Sequence, residues 1–318
     1  MSSKSNNQGR AYEYIFLNVL FDEISKIREV RIEKNSSFLA SEKAWETLSE
    51  EEKEIYKLSA LTGVNTVLDL EPLILEKDND TLNLKIQADD NGKKGDVRDI
   101  IIMRENVNWE IGLSLKHNHF AVNHSRLSKK LDFGERWYNI PCSKEYWKKV
   151  KPIFDFLEKE EKKKTLWKEI VNKNKDVYFP LLEAFKTEIL DQNRRNIKLL
   201  ENMLKYLLGK FDFYKVISID DKKVTRVQSY NLYGTLNQDG VHEKIKIKIP
   251  VVILPTRIVS LDFKPNSLTT LELYLNNGWQ FTFRIHNAEK EVKPSLKFDI
   301  QIVGIPTSII SIDSKWKV

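Results

Sequence analysis

The chain has a single cysteine, Cys142, in 318 residues. No disulfide can close within it, which suits a reducing cytosol. Its opening, MSSKSNNQGRAYEY, lacks the apolar stretch of a secretory signal. No apolar run approaches the ~20 residues that a bilayer-spanning helix requires. These absences set the expectation of a cytoplasmic protein with no membrane partner. No internal repeat and no long low-complexity linker is present. A strong excess of one charge is also missing: 52 Lys+Arg against 46 Asp+Glu leave a net charge of +6. That balance permits a polyanionic partner without establishing one. The length allows one large domain or two medium ones with a genuine core.

What is present divides into three stretches. Residues 1–143 begin with helical spacing at Tyr12, Ile15, Phe16, Val19, Leu20 and Ile24. A second helix is expected near 41–61, where Ser49 and Glu52 make a capping-box pattern. LNLKIQADD (82–90), DVRDIIIMR (96–104) and NWEIGLSLK (108–116) read as strands, the last two joined by a hairpin. A further helix is expected to start within 118–128. Residues 144–209 read as helical, and the last helix is expected to run unbroken from Pro180 to Gly209 on one apolar stripe. Residues 210–318 are β-rich, with turns at Asn237–Gly240, Pro265–Asn266 and Asn276–Gly278. The pattern predicts a mixed α/β (α+β) protein: a core over 1–143 with a hairpin, a helical segment over 144–209, and a β-rich region over 210–318.

Three of the five histidines crowd into LSLKHNHFAVNHSRLS (113–128). His117, His119 and His124 admit three readings. They are half-buried structural residues, or part of a zinc site, or a phosphate-facing patch beside Lys116 with Asn118, Asn123, Ser125 and Arg126. No cysteine or further clustered ligand lies near enough in sequence to favour zinc. The flanking residues are more informative. An aspartate begins or precedes one buried strand, and the next strand ends in Lys116. A carboxylate at a strand end can hold a divalent cation, and a nearby lysine can orient a water or balance developing charge. Hard oxygen ligands with waters retained point to Mg2+. Asp99 and Asp96 lie 17 and 20 residues before Lys116 and have opposite strand parity, so at most one shares its face. The residues leave that choice open.

This layout resembles the PD-(D/E)XK nuclease core, in which an aspartate precedes an acidic-x-Lys. Glu13, in GRAYE, resembles the glutamate that supports the metal from the first helix of many such nucleases. The acidic slot itself holds Ser114, a departure from the pattern. Glu110 has the right parity but lies about 13 Å along the strand at ~3.3 Å per residue. Either Glu13 supplies the carboxylate, or Ser114 contributes a hydroxyl or a water.

Longer stretches sharpen the resemblance. GDVRDIIIMRENVNWEIGLSLKHNHFAVNHSRLS is similar to the catalytic region of the HaeIII family of type II restriction endonucleases. WQFTFRIHNAEKEVKPSLKFDIQIVGIP (279–306) resembles a C-terminal segment of several restriction enzymes, and NNQGRAYEY agrees with the same family. The resemblance implies recognition of GGCC in duplex DNA and Mg2+-dependent hydrolysis at its centre, leaving blunt ends. It also makes a protecting methyltransferase an expected companion. The symmetry of a palindrome favours a homodimer. Candidate DNA contacts in the β-rich region are Lys244, Lys246 and Lys248, which otherwise protect a strand edge. Arg284, His286 and Asn287 are further candidates, because arginine pairs bidentately with guanine in the major groove. Two competing readings remain at this stage: a DNA-binding protein without catalysis, and an RNA- or structure-directed nuclease on the same core.

Overall fold

The computed structural model describes residues 4–77, 79–88, 96–106, 108–118, 121–237 and 247–317. The chain forms two compact units that interleave in sequence. The first comprises Met1–Phe120, Lys210–Ile253 and Thr307–Val318; the second comprises Ala121–Gly209 and Leu254–Pro306. These limits do not follow the linear division at 143 and 209.

The first unit holds a seven-stranded sheet in the order β1-β2-β3-β4-β6-β7-β12. Its strands are β1 (Val30–Glu33), β2 (Leu82–Ile86), β3 (Ile100–Arg104), β4 (Trp109–His117), β6 (Phe213–Ile219), β7 (Val224–Tyr230) and β12 (Ser311–Lys315). β4 and β6 run parallel. Parallel neighbours need a long crossover, and here the whole of 121–209 lies between them in sequence. Helices α1 (Lys4–Ser25), α2 (Ser36–Glu46), α3 (Glu50–Leu70) and α4 (Pro72–Leu75) belong to this unit. The apolar spacing read in α1 is buried: Tyr12, Phe16, Leu20 and Ile24 are all inaccessible. α3 is capped by Ser49 and Glu52 as the sequence predicts. The expected 41–61 helix is in fact two helices: the first ends at Glu46 and is capped by Thr47, and Ser49 starts the second. Gly63 of α3 lets Phe16, Thr225 and Val216 close in where a Cβ would stand. So α1 and α3 cover the sheet face that carries Val216, Leu113 and Leu115.

The second unit holds a five-stranded antiparallel sheet, β5-β11-β10-β9-β8. Its strands are β5 (Ala121–Ser128), β8 (Ile258–Phe263), β9 (Thr270–Leu275), β10 (Gln280–His286) and β11 (Ser295–Gly304). Its helices are α5 (Phe133–Tyr138), α6 (Lys144–Lys162), α7 (Phe179–Arg195) and α8 (Leu199–Leu208). Phe283 and Phe298 of the sheet meet Trp137 of α5 and Phe185 of α7 in an aromatic core. Two expectations are corrected here. Residues 121–128 form a strand, not a helix, because pairing with β11 fixes alternation: Leu127 is buried and Arg126 exposed. The helix expected from Pro180 to Gly209 breaks at Asn196, which is extended at φ −133°, ψ 100°. Ile197, assigned to the apolar stripe, is 93% exposed.

Candidate active site

β3 and β4 form the predicted hairpin, and Asp99 stands one residue before β3. Its N–H donates to Leu113 O at 2.7 Å, so the antiparallel register runs on past the strand and sets Asp99 beside Ser114. Strand alternation puts Ser114 and Lys116 on this same face. Three donors converge on one oxygen, Asp99 Oδ2: Leu115 N–H at 2.6 Å, Lys116 Nζ at 3.1 Å and Ser114 Oγ at 3.3 Å. Asp99 and Lys116 are each about a quarter exposed, so the pair borders solvent. Among the described residues Asp99 Oδ1 takes no hydrogen bond, and the carboxylate keeps an oxygen for a further partner.

Asp96 is committed elsewhere. Its two oxygens take Arg98 Nε at 2.9 Å and Nη2 at 2.8 Å, while Arg98 Nη1 donates to Glu110 Oε1 at 2.8 Å. The guanidinium carbon lies 3.8 Å from the centre of the Phe211 ring. The Arg98 stem crosses Gly112, where a Cβ would collide with it. Asp96 and Glu110 thus neutralise one nearly buried arginine. Glu13 sits on α1, in the layer over the opposite sheet face, and accepts from Ser41 Oγ at 3.5 Å. Among the described residues no three acids, histidines or cysteines gather as a metal cage. The set Asp96, Asp99 and Glu13 is therefore not assembled. What is assembled is one carboxylate steadied by a hydroxyl and an ammonium; only the carboxylate could ligate a hard cation, which would keep most of its waters.

One residue of this face was missed in the sequence. Lys215 of β6 is the register partner of Ser114, and it is 3% exposed. Burial, reinforced by the Lys116 charge and opposed by Asp99, pushes its ammonium down to about 7. Gln228 of β7 pairs with Lys215 in turn. A polar row therefore crosses the sheet from Asp99 through Ser114 and Lys215 to Gln228. The available signal was a lone charge inside the apolar run FYKVISI.

His117 follows Lys116 but points to the other face, where α1 and α3 pack. Its Nε2 lies 2.7 Å from Asp220 Oδ2 and its Nδ1 lies 3.1 Å from Tyr56 OH. Asn118, at φ 51°, donates to Asp220 Oδ2 at 2.8 Å and accepts from Asp220 N–H at 3.0 Å. Burial pushes the Asp220 carboxyl up, but bonds from His117, Ser218 and Asn118 outweigh it and hold it below its ordinary value. These residues tie the ends of β4 and β6 together directly behind Lys116.

The other candidates scatter. His119, Lys244 and Lys246 lie outside the described residues, as do the side chains of Asn123 and His124. Lys248 is exposed in a segment without strand structure. Ser125 does not reach the surface: its buried hydroxyl accepts from Trp137 Nε1 at 3.1 Å. Asn287 closes a local turn by donating to the carbonyls of Glu289 and Glu291. Arg126 and Arg284 are exposed on the second unit's sheet, with His286 half-buried near them.

The model of the HaeIII restriction endonuclease family matches residues 9–306. The chain is 54% identical to the type II restriction enzyme HaeIII of Haemophilus aegyptius over 318 residues, covering all of both chains. No solved structure matches. With an Asp–Ser–Lys cluster on a nuclease-like hairpin and similarity along its whole length, the chain belongs to the HaeIII family of type II restriction endonucleases, which are site-specific deoxyribonucleases.

Proposed function

We propose that this endonuclease recognises GGCC in duplex DNA and cuts both strands at its centre to blunt ends, with Mg2+ as the metal and two copies acting together. One observation carries the reading of the site: Asp99 and Lys116 meet 3.1 Å apart on one sheet face, with Ser114 between them. The target rests on the resemblance of 95–128 to the HaeIII family and of 279–306 to a segment of several restriction enzymes, beside the family match. The pairing of two copies rests on the twofold symmetry of a palindrome.

Type II restriction enzymes are metal-dependent nucleases. Asp99 would hold the cation, and waters would complete its shell. When bound, Mg2+ polarises the phosphate and acidifies a water. The ammonium of Lys116 orients the attacking water and offsets negative charge as it develops. Asp99 keeps that ammonium in position, and Ser114 Oγ donates to Asp99 Oδ2 and fixes the carboxylate plane. Ser114 thus fills an acid's slot by orienting the acid that remains. The His117–Asp220–Asn118 network holds the strand end from which Lys116 projects. Arg284 and Arg126 reach the DNA from the second unit.

The test is digestion of a mapped plasmid with Mg2+ and then with EDTA. Blunt fragments ending at GGCC, only with metal, are expected. Retarded but intact DNA would make the chain a binder, and a ladder without sequence bias would make it a structure-directed nuclease. Light scattering with a short GGCC duplex is expected to give two chains per duplex. One chain per duplex, with a nicked intermediate accumulating, overturns the dimer.

A further inference from the structure

The second unit's sheet has two unlike faces. One is buried: Leu127, Leu271, Leu273, Phe281, Phe283 and Phe298. The other is polar, and register groups its charges. His286 pairs with Lys297, and Lys297 pairs with Arg126, in one row across β10, β11 and β5. In the next row Arg284 stands beside Asp299. Farther along, Glu272 of β9 stands beside Asp262 of β8. The face is therefore basic at one side and acidic at the other.

The basic side is poorly explained by folding. Lys297 and Arg126 are like charges directly opposite each other, an arrangement that weakens a sheet. Their field reaches His286, which burial and the charges of Lys297, Arg284 and Arg126 hold below its ordinary value against Asp299. The one nearby acid, Asp299, offsets only part of this charge and leaves the cations in excess. Asp299 Oδ1 is buried with no hydrogen-bond partner among the described residues, and Oδ2 takes Gln301 Nε2 at 3.4 Å. Arg126 gives one bond to Ser295 O at 3.3 Å and stays exposed. On the acidic side, by contrast, Asp262 is used by the fold: it takes Lys186 Nζ at 3.3 Å and caps Phe263 N–H at 2.8 Å.

We propose that the basic half of this face, Arg126, Lys297 and Arg284, is a docking surface for the duplex, in which Arg126 and Lys297 take backbone phosphates and Arg284 reaches a base edge. The inference rests on the reading of this chain as a GGCC-cutting enzyme, and it adds Lys297 and the orientation of the face. Charge complementarity selects the occupant, because a duplex backbone gains from the cation row and is repelled by Glu272 and Asp262. The strained repulsion between Lys297 and Arg126 is relieved when a phosphate lies between them.

Wild type, Lys297→Gln, Arg126→Gln, Arg284→Ala and a control, Lys264→Gln, which directly follows β8 two residues from Asp262, test this. Affinity is measured without Mg2+ for a GGCC duplex and a scrambled duplex across a salt series, beside thermal melting of each protein. Lys297→Gln and Arg126→Gln are expected to weaken binding to both duplexes alike, and each to lower the salt slope by about one. Their melting temperatures are expected to hold or rise, which a structural role would not allow. Arg284→Ala is expected to narrow the gap between the two duplexes. Unchanged slopes, a drop in melting temperature that accounts for lost binding, or an equal slope change in Lys264→Gln would overturn the surface. Mg2+ digestion by wild type separates the two claims: failure to cut at GGCC sinks the functional reading, whereas normal cutting with unchanged slopes sinks only this face.

Discussion

The two sheets put their polar side chains to opposite uses. In the first unit Ser114, Lys215 and Gln228 form a row that is almost wholly buried, with only Asp99 and Lys116 bordering water. In the second unit Arg126 and Arg284 stand exposed on an open face. Hydrolysis needs a few charges fixed in a dry setting, where each is worth more and needs no reorganisation. Holding a polyanion needs charges that shed counterions and remain reachable. Under the proposed roles, the chain fixes its few cutting charges beside a buried polar row and displays the charges meant for DNA on an open face.

If this contrast is right, variants of the first sheet should cut poorly yet bind well. Lys116→Ala and Asp99→Ala carry the largest effect: cleavage should fall by about a hundredfold or more, with binding to a GGCC duplex retained. Near-normal turnover in either would remove the hairpin from the chemistry. Lys215→Met comes next. Burial already works against the Lys215 ammonium, so an apolar side chain of similar volume should leave the melting temperature nearly unchanged. Cleavage should nonetheless fall about tenfold, because the polar row flanking Asp99 loses its charge. A variant that cuts normally would reduce Lys215 to packing.

Asp96→Ala sharpens the same comparison from the other side. It leaves nearly buried Arg98 with Glu110 alone, and should cost about 1–3 kcal/mol of stability. Urea denaturation should show that loss while cleavage by the folded fraction persists. If Asp96→Ala abolishes cleavage without loss of stability, the assignment of Asp99 over Asp96 fails.

The smallest expected effect concerns pH. Glu71 is fully buried and accepts from Tyr214 OH and from Asn237 N–H, both at 2.6 Å. Burial pushes its carboxyl up to about 7, against about 4.3 in an unfolded chain. The folded state holds an extra proton between those values, so this group's contribution is full below about pH 4 and is lost as pH rises through 7. Glu71→Gln keeps the acceptor and cannot ionise. Its melting temperature should exceed the wild-type value by a few degrees at pH 8, and the gain should shrink at pH 5. An equal difference at both pH values would show that Glu71 does not titrate in this range.

Much of this was legible in the residues themselves. The apolar spacing of α1, the Ser49 cap and the 96–116 hairpin are local patterns, each set by neighbours within a turn or a strand. The pairing of an aspartate with Lys116 was readable because one hairpin fixes that distance, and the family resemblance rests on contiguous stretches. What sequence could not decide was which aspartate. Strand parity allowed either; in the structure Asp96 is taken up by Arg98, while Asp99 meets Lys116. His117 looked like an extension of Lys116, but alternation turned it into the helical layer against Tyr56. Lys215 lies 99 residues beyond Lys116, and Lys297 lies 171 beyond Arg126. Only sheet register brings such pairs together. The sequence by itself determined the elements and the chemistry available on each, because those depend on local spacing. Tertiary structure alone decided which charges share a face, because cross-strand pairing joins residues that no local pattern relates.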